Sequence, residues 1–168
     1  MLYFALHKHY AASMKDYNGF ASSQRNKAQR WLNAQWARGS LPRPVRCVAC
    51  GQDQGVIDAH AEDYSEPFAP CKTDGFHLCF VCHMMVHCRH RNEARWQEYR
   101  QHVETGSRPK AFVRRDWPRF QKGFLGAVLA PELFERGPAQ VGRALRKIEL
   151  SQERTAQRLV TIAVLASA

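Results

Sequence analysis

No apolar run in this chain approaches the roughly 18 residues needed to cross a bilayer, so no membrane span is expected. The opening stretch Met1-Leu2-Tyr3-Phe4-Ala5-Leu6 is too short for a secretory apolar region, and His7-Lys8-His9 follows at once. Internal repeats and low-complexity tracts are absent, which excludes solenoid and fibrous architectures. Acidic residues are scarce, 15 against 25 lysines and arginines, and the formal charge is +10. An apolar fraction of 45% is ordinary for a folded protein, and 168 residues suit one domain with extensions. The expected location is cytoplasmic. In a reducing compartment the six cysteines are better read as thiolate ligands than as disulfides.

The scarcity of acid is uneven. Residues 1–46 carry eight basic residues and one acidic; residues 47–100 carry five and eight; residues 101–168 carry twelve and six. One reading is a generally basic protein. The other is that basic flanks hold a polyanion, nucleic acid being the obvious one, across a central acidic, metal-binding site.

That centre holds the residues with chemistry. Cys47-Val48-Ala49-Cys50 is followed by His60, then by Cys79-Phe80-Val81-Cys82-His83, and then by His87. Two CxxC pairs, each on a tight turn, bring four thiolates to one point and complete a tetrahedron around structural Zn²⁺. Four sulfurs fill such a site. The histidines are therefore candidates for a second, open site for a divalent ion, unless His83 and His87 extend or replace the zinc ligands.

The flanking pattern predicts the elements. Residues 20–38 read as a helix, capped by Ser22 or Ser23, with Ala28, Trp31, Leu32 and Trp36 as its apolar stripe and Gly39 as its end. Arg25, Lys27, Arg30 and Arg38 occupy its other face. Ser40 to Pro44 forms a stiff linker. Cys47 to Cys50 reads as a turn between two short strands, the second being Val56 to His60, and Asp63 to Pro70 as a loop. Leu78 to Cys82 leads into a helix expected to continue to about residue 104, with Gly106 as its stop and Trp96 and Tyr99 as packing residues. His83 and His87, four apart, share one face of it.

Beyond Gly106, Arg108, Lys110, Arg114, Arg115, Arg119 and Lys122 alternate with Phe112, Trp117, Phe120 and Phe124. This segment is either a phosphate-contacting extension or an amphipathic segment packing its rings on the core. Residues 139–165 read as a last helix with Val141, Leu145, Ile148, Leu159 and Ile162 near one face, used for packing or self-association. The expected class is α+β, a small zinc-stapled core with mainly helical extensions. The expected division is 1–44, a basic helical extension and linker; 45–105, the zinc core; and 106–168, a basic helical extension.

Over residues 45–90 the chain resembles the HNH endonucleases, whose core is the ββα-metal fold. The matching residues are the two CxxC pairs, Asp58-Ala59-His60-Ala61-Glu62-Asp63-Tyr64-Ser65-Glu66-Pro67, and Leu78-Cys79-x-x-Cys82-His83-x-x-x-His87. The resemblance implies a metal-dependent endonuclease that hydrolyses phosphodiester bonds, most naturally in double-stranded DNA. It implies structural zinc on Cys47, Cys50, Cys79 and Cys82. It also implies a catalytic Mg²⁺, Mn²⁺, Ni²⁺ or Zn²⁺ on His60, His83 and His87. Arg25, Arg30, Arg114, Arg115 and Arg119 are the candidate nucleic-acid contacts, and a homodimer is possible through the last helix.

The pattern departs from the family directly after His60. The general-base histidine expected there is Ala61, which takes no proton. Three readings stay open. Another residue supplies the base, with Asp58, Glu62, Tyr64 and His77 nearest in sequence; or the register shifts by one and His60 is the base; or the protein binds nucleic acid without cutting it. Asp74 stands loosely where the family has a middle polar residue. Cys71 and Cys88 either join His77 or His90 in a second cluster or remain free thiols.

Overall fold

The computed structural model describes residues 16–68, 76–137 and 143–166. Tyr3, Tyr10, Pro70, Cys71, Asp74 and Val141 lie outside the described residues. The described residues of 1–42, 61–75 and 150–168 form one compact unit, and those of 43–60 and 76–149 another. This division cuts across the expected one. The described residues of 61–75 lie outside the unit that holds the four cysteines, and those of 106–149 lie within it.

In the first unit, helix α1 spans Ser22–Ala37 and buries Ala28 and Leu32. Its N-cap is Ala21, with no side-chain hydrogen bond, so neither Ser22 nor Ser23 caps it as expected. The helix stops where predicted. Gly39 takes a φ of 70°, left-handed backbone that costs glycine little, and its N–H donates to the Trp36 carbonyl at 3.2 Å.

Arg25, expected on the nucleic-acid face, is instead half-buried, with its guanidinium 5.1 Å from the Tyr17 ring centroid and 5.5 Å from that of Tyr64. A planar, weakly hydrated cation gains more from two ring faces than an ammonium would. Arg30 stays exposed.

The second unit is built on two antiparallel strands, β1 (Ile57–His60) and β2 (Phe76–Cys79), with Ile57 opposite Cys79 and His60 opposite Phe76. Helix α2 (Phe80–Cys88) follows β2 without a loop. The strand expected ahead of Cys47 is absent, since residues 42–47 form no ladder. Pro42 and Pro44 lack the N–H groups a ladder would use. The Cys47–Gln52 turn is closed by its own bonds, Cys47 N–H to Gln52 O at 2.8 Å and Gly51 N–H to Cys47 O at 2.9 Å. It is tied to β2 by Val48 N–H to His77 O at 2.8 Å.

The single long helix expected from residue 82 to 104 is two. After α2, the N–H groups of Arg91 and Asn92 both turn back to Cys88 O at 2.9 Å. The Asn92 side chain then accepts the Arg95 N–H and starts α3, Glu93–Glu104. An N-cap asparagine satisfies a donor that a continuing helix would have bonded internally. Trp96 and Tyr99 are buried on α3, as expected.

Past Gly106, strand β3 (Ser107–Pro109) pairs antiparallel with β4 (Phe134–Arg136). Between them lie a 3-10 turn, Arg114–Asp116, and helix α4, Trp117–Phe124. Phe112, Phe120 and Phe124 are buried in the same core as the four cysteines, Trp96 and Tyr99. Of the two readings of this segment, its rings therefore follow the packing one, and its cations stay outside. The last helix, α5, spans Arg143–Ala166. Leu145 and Ile148 are buried, but Ile162 is 52% exposed, so the expected stripe does not run its length. No helix among the described residues is long and apolar enough to cross a membrane.

Candidate metal centres

Among the described residues two groups of ligand atoms converge, and both lie in the second unit. The first is Cys47, Cys50, Cys79 and Cys82. All four are buried, with Sγ atoms within 4.8 Å of one another. The Cys50 and Cys79 sulfurs are 3.7 Å apart. A Zn–S bond of about 2.3 Å puts tetrahedral sulfurs about 3.8 Å apart, so this edge has the size of a zinc tetrahedron. The closed turn supplies one pair. The β2–α2 junction supplies the other, with Cys79 capping α2 by accepting the Cys82 N–H at 3.5 Å.

The shifts of Cys47, Cys79 and Cys82 show what a cation would relieve. Burial opposes charge on Cys47, but hydrogen bonds from Cys50, Cys79 and Cys82 hold its pKa down. Cys79 is pushed well up by its hydrogen bonds to Cys47 and Cys50, and Cys82 by burial and then by Cys47. Negative charge is favoured on Cys47 and opposed on Cys79 and Cys82. A dication removes that conflict. Tyr99 Oη lies 3.0 Å from Cys82 Sγ and can donate to a thiolate there. The donor set fits zinc.

The second group is His60, His83 and His87. His60 ends β1 and is 1% exposed, while the other two sit one turn apart on α2. The ring centroids form a near-equilateral triangle, with sides of 5.1, 5.2 and 5.0 Å. The Nε2 atoms of His83 and His87 are 3.2 Å apart. Metal–nitrogen bonds of about 2.0–2.1 Å place neighbouring ligands about 3.0 to 3.4 Å apart, depending on geometry.

Asp58 lies two residues before His60, so the pleat puts both on one face. Its Oδ2 is 3.1 Å from His83 Nδ1. A carboxylate there keeps the proton on Nδ1 and turns the Nε2 lone pair toward the shared point. The Asp58 pKa is lowered. Burial is the largest influence and pushes it up, but the His83 hydrogen bond and the charges of His83, Arg114 and His60 outweigh it. These three imidazoles can hold one divalent ion on one side and leave its other positions open.

The candidate bases fare differently. Asp58, as the orienting partner of His83, is at the site. His77 pairs with Ala59, which places it on the face of the ribbon opposite Asp58 and His60. Glu62 belongs to the first unit. Its buried carboxylate accepts Tyr17 Oη at 2.9 and 3.0 Å and is also bonded by Asn18 Nδ2. Tyr64 is in the same unit, and burial above all pushes its pKa up to about 12. Ala61 is 5% exposed. The convergence of His60 with the two helical histidines favours a ligand's place for it over that of a base.

Cys88 is half-buried, and no third ligand group containing it, His77 or His90 converges among the described residues. Arg114 brings a guanidinium nitrogen within 3.9 Å of Asp58 Oδ1. Sequence spacing gave no sign of that approach. The i, i+2 relation of Asp58 and His60 was the available signal for the carboxylate's role. No protein-family model, curated protein or solved structure matches this chain. Its functional reading therefore rests on the residues of the two centres.

Proposed function

We propose that the protein is an HNH-type, divalent-metal-dependent endonuclease that hydrolyses phosphodiester bonds in DNA, with structural zinc on Cys47, Cys50, Cys79 and Cys82. The observation carrying this reading is the convergence of His60, His83 and His87 on a strand–strand–helix unit stapled by four cysteines. When bound, the ion supplies a Lewis acid for phosphate oxygen and raises the acidity of water. The chain's own residues do the rest. His60, His83 and His87 would hold it, Asp58 fixes the His83 tautomer, and the exposed Arg115 and Arg119 are suited to neutralise neighbouring phosphates.

The test is cleavage of supercoiled plasmid by wild type and His83→Ala across Mg²⁺, Mn²⁺, Ni²⁺ and Zn²⁺. Metal-dependent nicking that disappears in His83→Ala is expected. An intact plasmid under every condition sinks the reading.

A second reading is a zinc module that binds nucleic acid without cutting it. It draws on Ala61 and on the engagement of Glu62 by Tyr17 and Asn18. It requires retarded but uncut plasmid in the same experiment.

A further inference from the structure

From Leu150 onward α5 belongs to the first unit. Its inner side is seated there. Thr155 is buried and Leu159 half-buried. The Gly19 backbone lies so close that a Cβ on it would come within 3.2 Å of Leu159 Cδ1. On the same turn Arg158 ties the helix to the loop after β1. One guanidinium nitrogen is 2.8 Å from Asp63 Oδ2, and the other donates to Ser65 Oγ at 2.9 Å.

Beyond Leu159 the helix runs outward. Ile162 continues the inner spacing of Thr155 and Leu159, yet it is 52% exposed. Val160, Val164 and Leu165, on the other sides, are 64, 63 and 72% exposed. Residues 159–166 read Leu-Val-Thr-Ile-Ala-Val-Leu-Ala and carry no charge. Their one hydroxyl, that of Thr161, donates to Gln157 O at 3.0 Å and is satisfied within the helix. Val160, Thr161, Ile162 and Val164 are β-branched and hold a helix poorly by themselves. A helix end of this composition is stabilised by being covered.

Charge selects what can cover it. The chain carries a formal +10, so two copies repel unless they meet where no free cation stands. Residues 159–166 offer such a place, because Arg158 beside them is matched by Asp63. Arg154, one turn further back, is exposed. Two α5 ends packed in parallel would set Arg154 against Arg154. Packed antiparallel about a two-fold axis near Ile162, Val160 of each copy meets Val164 of the other, and the two Arg154 side chains go to opposite ends. Val160 and Val164 are four apart and share one face.

We infer that the last two turns of α5 are a self-association surface, on which two copies of the chain pair antiparallel through Val160, Val164 and Leu165. A few aliphatic side chains from each copy bury less than the roughly 800 Å² per partner of a standard interface, so the pairing is weak and concentration-dependent. The inference stands apart from the nuclease reading and does not need it.

The test is sedimentation equilibrium of the full-length, zinc-loaded protein from low micromolar to hundreds of micromolar concentration. Wild type is expected to pass from 19.3 kDa toward twice that mass. Val160→Glu alone and Val164→Lys alone should each weaken association by about tenfold or more, because each buries an unpaired charge. Mixed in equal amounts, the two variants should associate again, since the antiparallel register sets the substituted positions against each other with opposite charge. Both positions are exposed in the single chain, so the melting curves of the variants should match wild type.

A wild type that stays at monomer mass throughout, whatever else covers the helix end, overturns the inference. So does a dimer that neither substitution weakens, and so do variants that fail to reassociate on mixing.

Discussion

Asp58 is the side chain on which the histidine centre turns. A strand places it two residues from His60, and one of its oxygens fixes the ring of His83. Replacing it with asparagine removes the charge and keeps the shape. Asp58→Asn is expected to lower divalent-ion affinity at the histidines by about 10–100-fold, the usual effect of losing such a partner. Competition with a chromogenic chelator measures it, and zinc on the cysteines should be unaffected.

The two kinds of metal residue should also separate in stability. Cys79→Ser takes a thiol from a buried four-cysteine set; binding of structural zinc is coupled to folding, so zinc stoichiometry and the cooperative melt should be lost together. His83→Ala should melt near wild type. Equal melting of the two variants would contradict the division into structural and open centres.

Tyr64 carries a pH prediction. Its phenol is held up to about 12 by burial, against 10 for the ordinary group. The unfolded chain therefore releases this proton first, and stability falls as pH rises from 10 toward 12. Denaturant midpoints across that range should fall less in Tyr64→Phe than in wild type.

At the scale of elements, the break between α2 and α3 has a definite cause. Cys88 O receives two returning N–H groups, and Asn92 restarts the helix by accepting the Arg95 N–H at 3.0 Å. Asn92→Ala should cost about 1 kcal/mol, seen as a lower denaturant midpoint at unchanged slope. From sequence, residues 82–104 read as one helix because Trp96 and Tyr99 continue an apolar spacing. A side-chain cap inside a periodic run is easily overlooked, since asparagine is also tolerated mid-helix.

The aromatic segment shows a similar ambiguity. Phe112, Phe120 and Phe124 alternate with cations in a way that suits either a nucleic-acid surface or a core. Burial of all three at 3% or less exposure decides for the core. Phe120→Ala should destabilise the second unit by about 3–5 kcal/mol. A denaturant melt reads this directly, and a variant as stable as wild type would remove Phe120 from the core.

Over the whole molecule, charge and metal set the expected behaviour. Stripping zinc with a strong chelator should unfold the second unit cooperatively, because its core includes the four buried ligands. Arg115→Ala and Arg119→Ala should each weaken DNA binding across sequences and reduce the salt slope by about 1, measured by anisotropy over a range of salt.

Much of this was legible in the chain itself. CxxC spacing is local chemistry. A turn that brings two thiolates together depends on four consecutive residues, and the i, i+4 relation of His83 and His87 depends on one helical turn. Such features survive from sequence to structure because few distant residues are needed to create them. The sequence by itself determined the four-cysteine cluster, the paired helical histidines, α1 and its glycine stop, and the strand ending in His60. The tertiary structure alone decided that Phe112, Phe120, Phe124, Leu145 and Ile148 complete the core, that Glu62 is held by Tyr17 and Asn18, and that Arg114 meets Asp58 across 56 positions. Such pairings join residues far apart along the chain. No periodicity or spacing encodes them, and they exist only once burial of the apolar faces has selected which segments pack together.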